Sequence, residues 1–187
     1  MKRILFAAAL SVLAFAAGAA AQEKPADYSG TWVLDVSRSK LTMPVDSMTM
    51  TVSQSEKEIS ITTETKRPAP PEGQRPGGGG MGGGRGPGGG RGLMGGDGTT
   101  TYSLEKKETS MNIDGPMGSI PVYLKAKAKN GKLELSRNAV FNGPMGEVSM
   151  GSKEVWEMSA DGTTLTVNRE TTTMQGTNSS TLVFTKK

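Results

Sequence analysis

Apolar and polar positions alternate with a period of two along most of this chain. Trp32, Leu34 and Val36 alternate with Thr31, Val33 and Asp35, and Met48, Met50 and Val52 alternate with Thr49, Thr51 and Ser53. Ile59 and Ile61 resume after a turn at Ser55-Glu56-Lys57, and Tyr102 and Leu104 share one face of the run Thr100 to Glu105. Successive side chains on a strand point to opposite faces, so this period predicts strands with one apolar and one solvated side. No stretch carries helical period.

Two hairpins have a register that follows from their turns. Asn130-Gly131, a strong two-residue hairpin signal, separates Val122–Lys129 from Lys132–Phe141. Closing it sets Ala128 opposite Leu133, Ala126 opposite Leu135, and Lys127 opposite Glu134 on the other face. A second turn at Ala160-Asp161-Gly162-Thr163 sets Met158 opposite Leu165, Trp156 opposite Val167, and Glu154 opposite Arg169. A last strand is expected at Thr181 to Thr185. The count is eight to ten short antiparallel strands, which close into an up-and-down β-barrel or stack as a sandwich. Asp114-Gly115-Pro116-Met117-Gly118 recurs as Asn142-Gly143-Pro144-Met145-Gly146, two turns expected to cap strand ends on one rim.

Two segments break the pattern. Gly77 to Gly98 holds 15 glycines in 22 residues, after a Pro-rich lead at Arg67-Pro68-Ala69-Pro70-Pro71. Glycine loses the most backbone entropy on ordering, and nothing here packs a core, so 67–98 reads as a disordered loop. It divides the expected barrel into 22–66 and 99–187. At the N-terminus, Lys2 and Arg3 precede an uncharged apolar run from Ile4 to Ala17 and then Gly18-Ala19-Ala20-Ala21. This layout is that of a secretory signal peptide over residues 1–21, cleaved after Ala21. The run is short for a membrane span, so no transmembrane segment is expected in the mature form, which is placed in the periplasm or outside the cell.

The 187 residues carry a net charge of +4, which falls to +2 without Lys2 and Arg3. Such a balance argues against nucleic-acid binding. Residues 66–98 alone carry +3, from Lys66, Arg67, Arg75, Arg85 and Arg91 against Glu72 and Asp97. Arg75, Arg85 and Arg91 are therefore candidates to contact an anionic polysaccharide or lipid. The chain has no cysteine and no histidine, so a disulfide framework is excluded and the commonest general base and metal ligand are absent. Residues 22–187 hold 11 methionines. Thioethers bind Cu(I), but Met48 and Met50 have core spacing, and no metal or cofactor is expected. No nucleophile elbow, phosphate loop or spaced carboxylate pair occurs, so no enzyme activity is expected.

Ser29-Gly30-Thr31-Trp32-Val33-Leu34-Asp35, followed by Ser37-Arg38-Ser39-Lys40, resembles the opening of bacterial secreted lipocalin-like proteins. Gly30-Thr31-Trp32 resembles the Gly-x-Trp signature of the lipocalin superfamily. The segment Glu154 to Val167 is similar to a late hairpin of those proteins. The resemblance implies a small barrel, with Trp32 closing one end and a late cation over it, Arg169 being the nearest candidate. It also implies binding of an apolar ligand, and with no enzyme activity expected the reading is a non-enzymatic barrel that binds a small apolar molecule or envelope component. The candidate lining residues are Trp32, Met48, Met50, Tyr102, Tyr123 and Trp156. The other class is a surface module that meets anionic polymers or lipids through the basic glycine-rich loop.

Overall fold

The computed structural model describes residues 26–69, 96–105, 107–115, 118–143 and 146–187. The expected signal peptide and its cleavage point lie outside these residues. So do Arg75, Arg85 and Arg91 with the tract from 70 to 95.

The described chain is all β. Ten strands run in order: β1 (Gly30–Leu34), β2 (Ser47–Gln54), β3 (Glu58–Lys66), β4 (Gly98–Ser103), β5 (Thr109–Gly115), β6 (Gly118–Lys129), β7 (Lys132–Gly143), β8 (Gly146–Met158), β9 (Thr164–Thr173) and β10 (Gly176–Lys186). They form one antiparallel sheet in the order β4-β3-β2-β1-β10-β9-β8-β7-β6-β5. β10 returns to pair with β1, through Trp32↔Lys186 and Leu34↔Phe184. The sheet curls into a nearly closed barrel whose edges, β4 and β5, meet at a seam where β4 approaches β6. The expected up-and-down barrel is the architecture observed.

Local chemistry explains the strand ends. Asn130 and Gly131 both adopt positive φ, 52° and 72°, as a tight twisted hairpin turn requires. The pairs Ala128↔Leu133, Ala126↔Leu135 and Lys127↔Glu134 follow as expected. The second hairpin also keeps its expected register, with Trp156↔Val167 and Glu154↔Arg169. Val36 departs from the alternation, because β1 stops at Leu34 and Val36 is left exposed. Asp35 ends the strand by accepting from Ser37 Oγ (2.6 Å) and from Arg38 Nε (2.7 Å). Ser39 Oγ donates to the Asp35 carbonyl and accepts from Val183 N, and Lys40 bridges to Thr181. The Asp35–Lys40 stretch thus staples the first strand to the last.

Inward positions form one core that includes Tyr28, Trp32, Ile59, Leu133, Leu135, Trp156, Leu165 and Phe184. Up-and-down order sends successive connections to alternate ends of the barrel. One end holds Tyr28, the β2–β3, β4–β5, β6–β7 and β8–β9 turns, and the last residues of β10. The other end holds the β1–β2 loop, the strand ends at Lys66 and Gly98, the facing ends of β5 and β6 and of β7 and β8, and the β9–β10 turn. The strand ends flanking both Gly-Pro-Met-Gly copies, Gly115↔Gly118 and Gly143↔Gly146, therefore share this second end.

Candidate functional site

The first end is sealed. Trp32 is fully buried, and its indole Nε1 donates to the Tyr28 carbonyl at 2.9 Å. The Tyr28 ring meets Trp156 edge to face, with centroids 5.6 Å apart, and its hydroxyl donates to the Trp156 carbonyl at 3.3 Å. Burial pushes the Tyr28 phenol above its ordinary pKa. Gln54 pins the chain entering β1, accepting from Tyr28 N and donating to the Ala26 carbonyl.

The Gly30-Thr31-Trp32 triplet has a physical basis here. Gly30 sits at φ +132°, a conformation that side chains disfavour. A Cβ there would lie 2.7 Å from Lys186 Cε. The bare glycine lets Lys186 reach across, so that its ammonium stands 5.2 Å from the Trp32 ring centre. The cation over Trp32 is therefore Lys186. Arg169, the nearest candidate by sequence, is instead bound to Glu154, as their cross-strand register predicts, and it pairs with β10 at Ser180, six residues before Lys186.

The second end is lined differently. Inward parity on β7, β8 and β9 brings Arg137, Ser152 and Thr171 into one row, and Glu154 and Arg169 into the next. Arg137 is only 5% exposed. It donates through its guanidinium to Thr100 Oγ1 at 3.4 Å and approaches Met111 Sδ at 3.9 Å. Glu154 Oε1 accepts from Arg169 Nε at 2.7 Å, and Oε2 accepts from Trp156 Nε1 at 2.8 Å. Burying such groups is costly unless they are paired, and the Glu154–Arg169 bridge offsets part of that cost. Burial, and then the Glu154 carboxylate, push the Tyr102 phenol far above its ordinary range, against the opposing pull of Arg137 and Arg169.

These groups surround a cavity of about 90 Å³. Met48, Met50, Tyr102 and Trp156 line it together with Arg137, Glu154 and Arg169. Thr63, Thr65, Arg67 and Gly96 bring it out to the end of the barrel. A larger, open groove of about 620 Å³ follows the seam, between hydroxyls of Thr99, Thr101 and Ser103 and those of Thr109 and Ser110. The outer hydroxyls of Thr101 and Thr99 are already bonded to Ser60 (2.6 Å) and Thr62 (2.7 Å). The groove gathers no buried charge, so the end cavity is the better site.

Four of the six lining candidates meet in that cavity: Met48, Met50, Tyr102 and Trp156. Trp32 lies in the sealed end, and Tyr123 is on the outer face, 40% exposed. Sequence reasoning missed Arg137 and read Glu154 only as the cross-strand partner of Arg169. The signal was parity: Arg137 is in phase with Leu133 and Leu135, and Glu154 with Trp156. Among the described residues, no three carboxylates gather as a metal site. No protein-family model and no curated protein matches this chain.

Proposed function

We propose that this is a secreted, non-enzymatic, lipocalin-like barrel that holds a small ligand in its open end. The observation that carries the reading is the contrast of the two ends. One is packed with aromatic rings, while the other keeps a cavity lined by charged and hydroxyl groups, with Arg137 buried among them. A few polar groups converging on a concave site are what a ligand needs to be held in one orientation. The interior is filled largely by the barrel's own side chains. Its roughly 90 Å³ is well below the ~300–1,000 Å³ of sites that enclose drug-sized molecules. The enclosed part of the ligand is therefore small, and any apolar remainder projects from the mouth or along the seam.

Native mass spectrometry of the protein purified from its native envelope fraction tests this. A bound species that leaves on organic extraction supports the carrier reading. The same spectrum reports the N-terminus, where a mass beginning at Gln22 is expected. An unliganded protein whose cavity residues respond to no added small molecule would refute ligand carriage.

A further inference from the structure

We infer that the open-end cavity is an oxyanion site, receiving a carboxylate or a phosphate-type group against Arg137. This deepens the ligand-carrier reading and rests on it. The lining holds three guanidiniums, from Arg67, Arg137 and Arg169, against one carboxylate, Glu154. Both Glu154 oxygens are already engaged, one by Arg169 and one by Trp156. Its carboxylate thus orients Arg169 and the Trp156 indole, and guanidiniums outnumber carboxylates among the lining side chains.

The geometry suits an anion rather than a neutral polar group. Arg137 is almost fully enclosed at the cavity wall, and its guanidinium contacts the two edge strands at the seam, Thr100 on β4 and Met111 on β5. A guanidinium in a low-dielectric site binds oxygen anions far more strongly than it does in water. Thr63, Thr65 and Thr100 add hydroxyl donors. Tyr102 adds another, kept protonated by its burial. Guanidinium and hydroxyl donors around a small space complement the lone pairs of a carboxylate or phosphate. A volume of about 90 Å³ matches a head group of a few heavy atoms and leaves no room for a chain.

Two sources share this chemistry: a free small anion, and the head group of an amphiphile whose tail stays outside. Amide NMR titrations of the purified protein, at constant ionic strength, separate them. The probes are acetate, inorganic phosphate, decanoate and decyl phosphate, with decanol as the neutral counterpart. The expected result is movement of the Thr100, Tyr102, Arg137 and Glu154 resonances with the anions, and binding of decanol weaker by about tenfold or more. Comparable affinity for acetate or phosphate and for the amphiphiles identifies a free anion. A response confined to decanoate and decyl phosphate identifies a head group.

If decanol binds those residues as tightly as decanoate, the anion assignment falls while the carrier reading stands. If no probe moves them, the anion assignment also falls, and native mass spectrometry then decides the carrier reading separately. A folded Arg137→Gln protein is expected to lose about tenfold in anion affinity, with Arg137→Lys retaining part of it. Undiminished affinity in Arg137→Gln would overturn the assignment.

Discussion

The sealed and open ends of this barrel are built from the same strands and solve opposite problems. At the sealed end, Trp32 and Tyr28 direct their polar atoms to main-chain carbonyls, so every aromatic ring is buried without an exposed dipole. At the open end, Glu154 directs its oxygens to other side chains, Arg169 and Trp156. Main-chain partners are fixed by the sheet itself. Side-chain partners depend on one another, and such networks stabilise only when complete. The difference teaches where stability and binding reside: rings and main chain hold the fold, while the charged rows shape the cavity.

Removing the ring at the sealed end should have the largest effect. Trp32→Ala deletes a fully buried indole and is expected to cost about 3–5 kcal/mol in urea unfolding. A loss below about 1 kcal/mol would mean that the seal does not hold the fold. Gly30→Ala comes next, at about 1–3 kcal/mol, because alanine is strained at φ +132° and meets Lys186. The Lys186→Ala background should recover part of that cost; strict additivity would show that contact with Lys186 plays no part.

At the open end, Glu154→Gln should cost about 1–2 kcal/mol, since it weakens the Arg169 bridge but keeps a partner for the indole. Trp156 fluorescence should shift with it. An unchanged spectrum would place the indole outside the network.

Titration sharpens the comparison further. Tyr28 in the seal and Tyr102 in the cavity wall are both raised above the ordinary value of 10.0. Above that pH the unfolded chain loses phenol protons that the folded chain keeps, so stability falls as pH rises past 10.0. Tyr102→Phe should flatten the alkaline decline more than Tyr28→Phe, because Tyr102 has the larger rise. An equal effect would remove the electrostatic distinction between the seal and the cavity wall.

The smallest effect is acidic. Hydrogen bonds from Ser37 and Arg38 hold Asp35 at about 2, and those from Ser159 and Thr163 hold Asp161 at about 2. Their contribution is full above the ordinary 3.8 and is lost as pH falls from there towards 2. Both groups are turn carboxylates, Asp35 half-buried at one end and Asp161 exposed at the other, so Asp35→Asn and Asp161→Asn should each trim the acid slope slightly. A large effect from either one alone would contradict this symmetry.

Much of the fold was legible because it is local. Asn130-Gly131 and the Asp161-Gly162 turn each dictate their own register, and the structure keeps both. The outer halves of β9 and β10 were not read, because Thr, Ser and Asn there carry little hydrophobic alternation, and β5 and the outer half of β8 offer only short alternations, Met111 with Ile113 and Val148 with Met150. The site was half legible. Met48, Met50, Tyr102 and Trp156 are apolar or aromatic positions whose parity points inward. Arg137 is a charged residue on an inward phase, and arginine is ordinarily read as facing solvent. Tyr123 has the residue type of a lining group but the opposite parity to Val122 and Leu124.

By itself the sequence determined strand character, turn positions and the pairing of neighbours, because those depend on residues a few positions apart. Only the tertiary structure decided that β10 closes onto β1, that the seam falls between β4 and β5, and that Lys186 rather than Arg169 covers Trp32. Closure joins residues more than a hundred positions apart, and the curvature that allows it belongs to the whole sheet. The gathering of Arg137, Glu154 and Arg169 around one cavity is set by that same curvature.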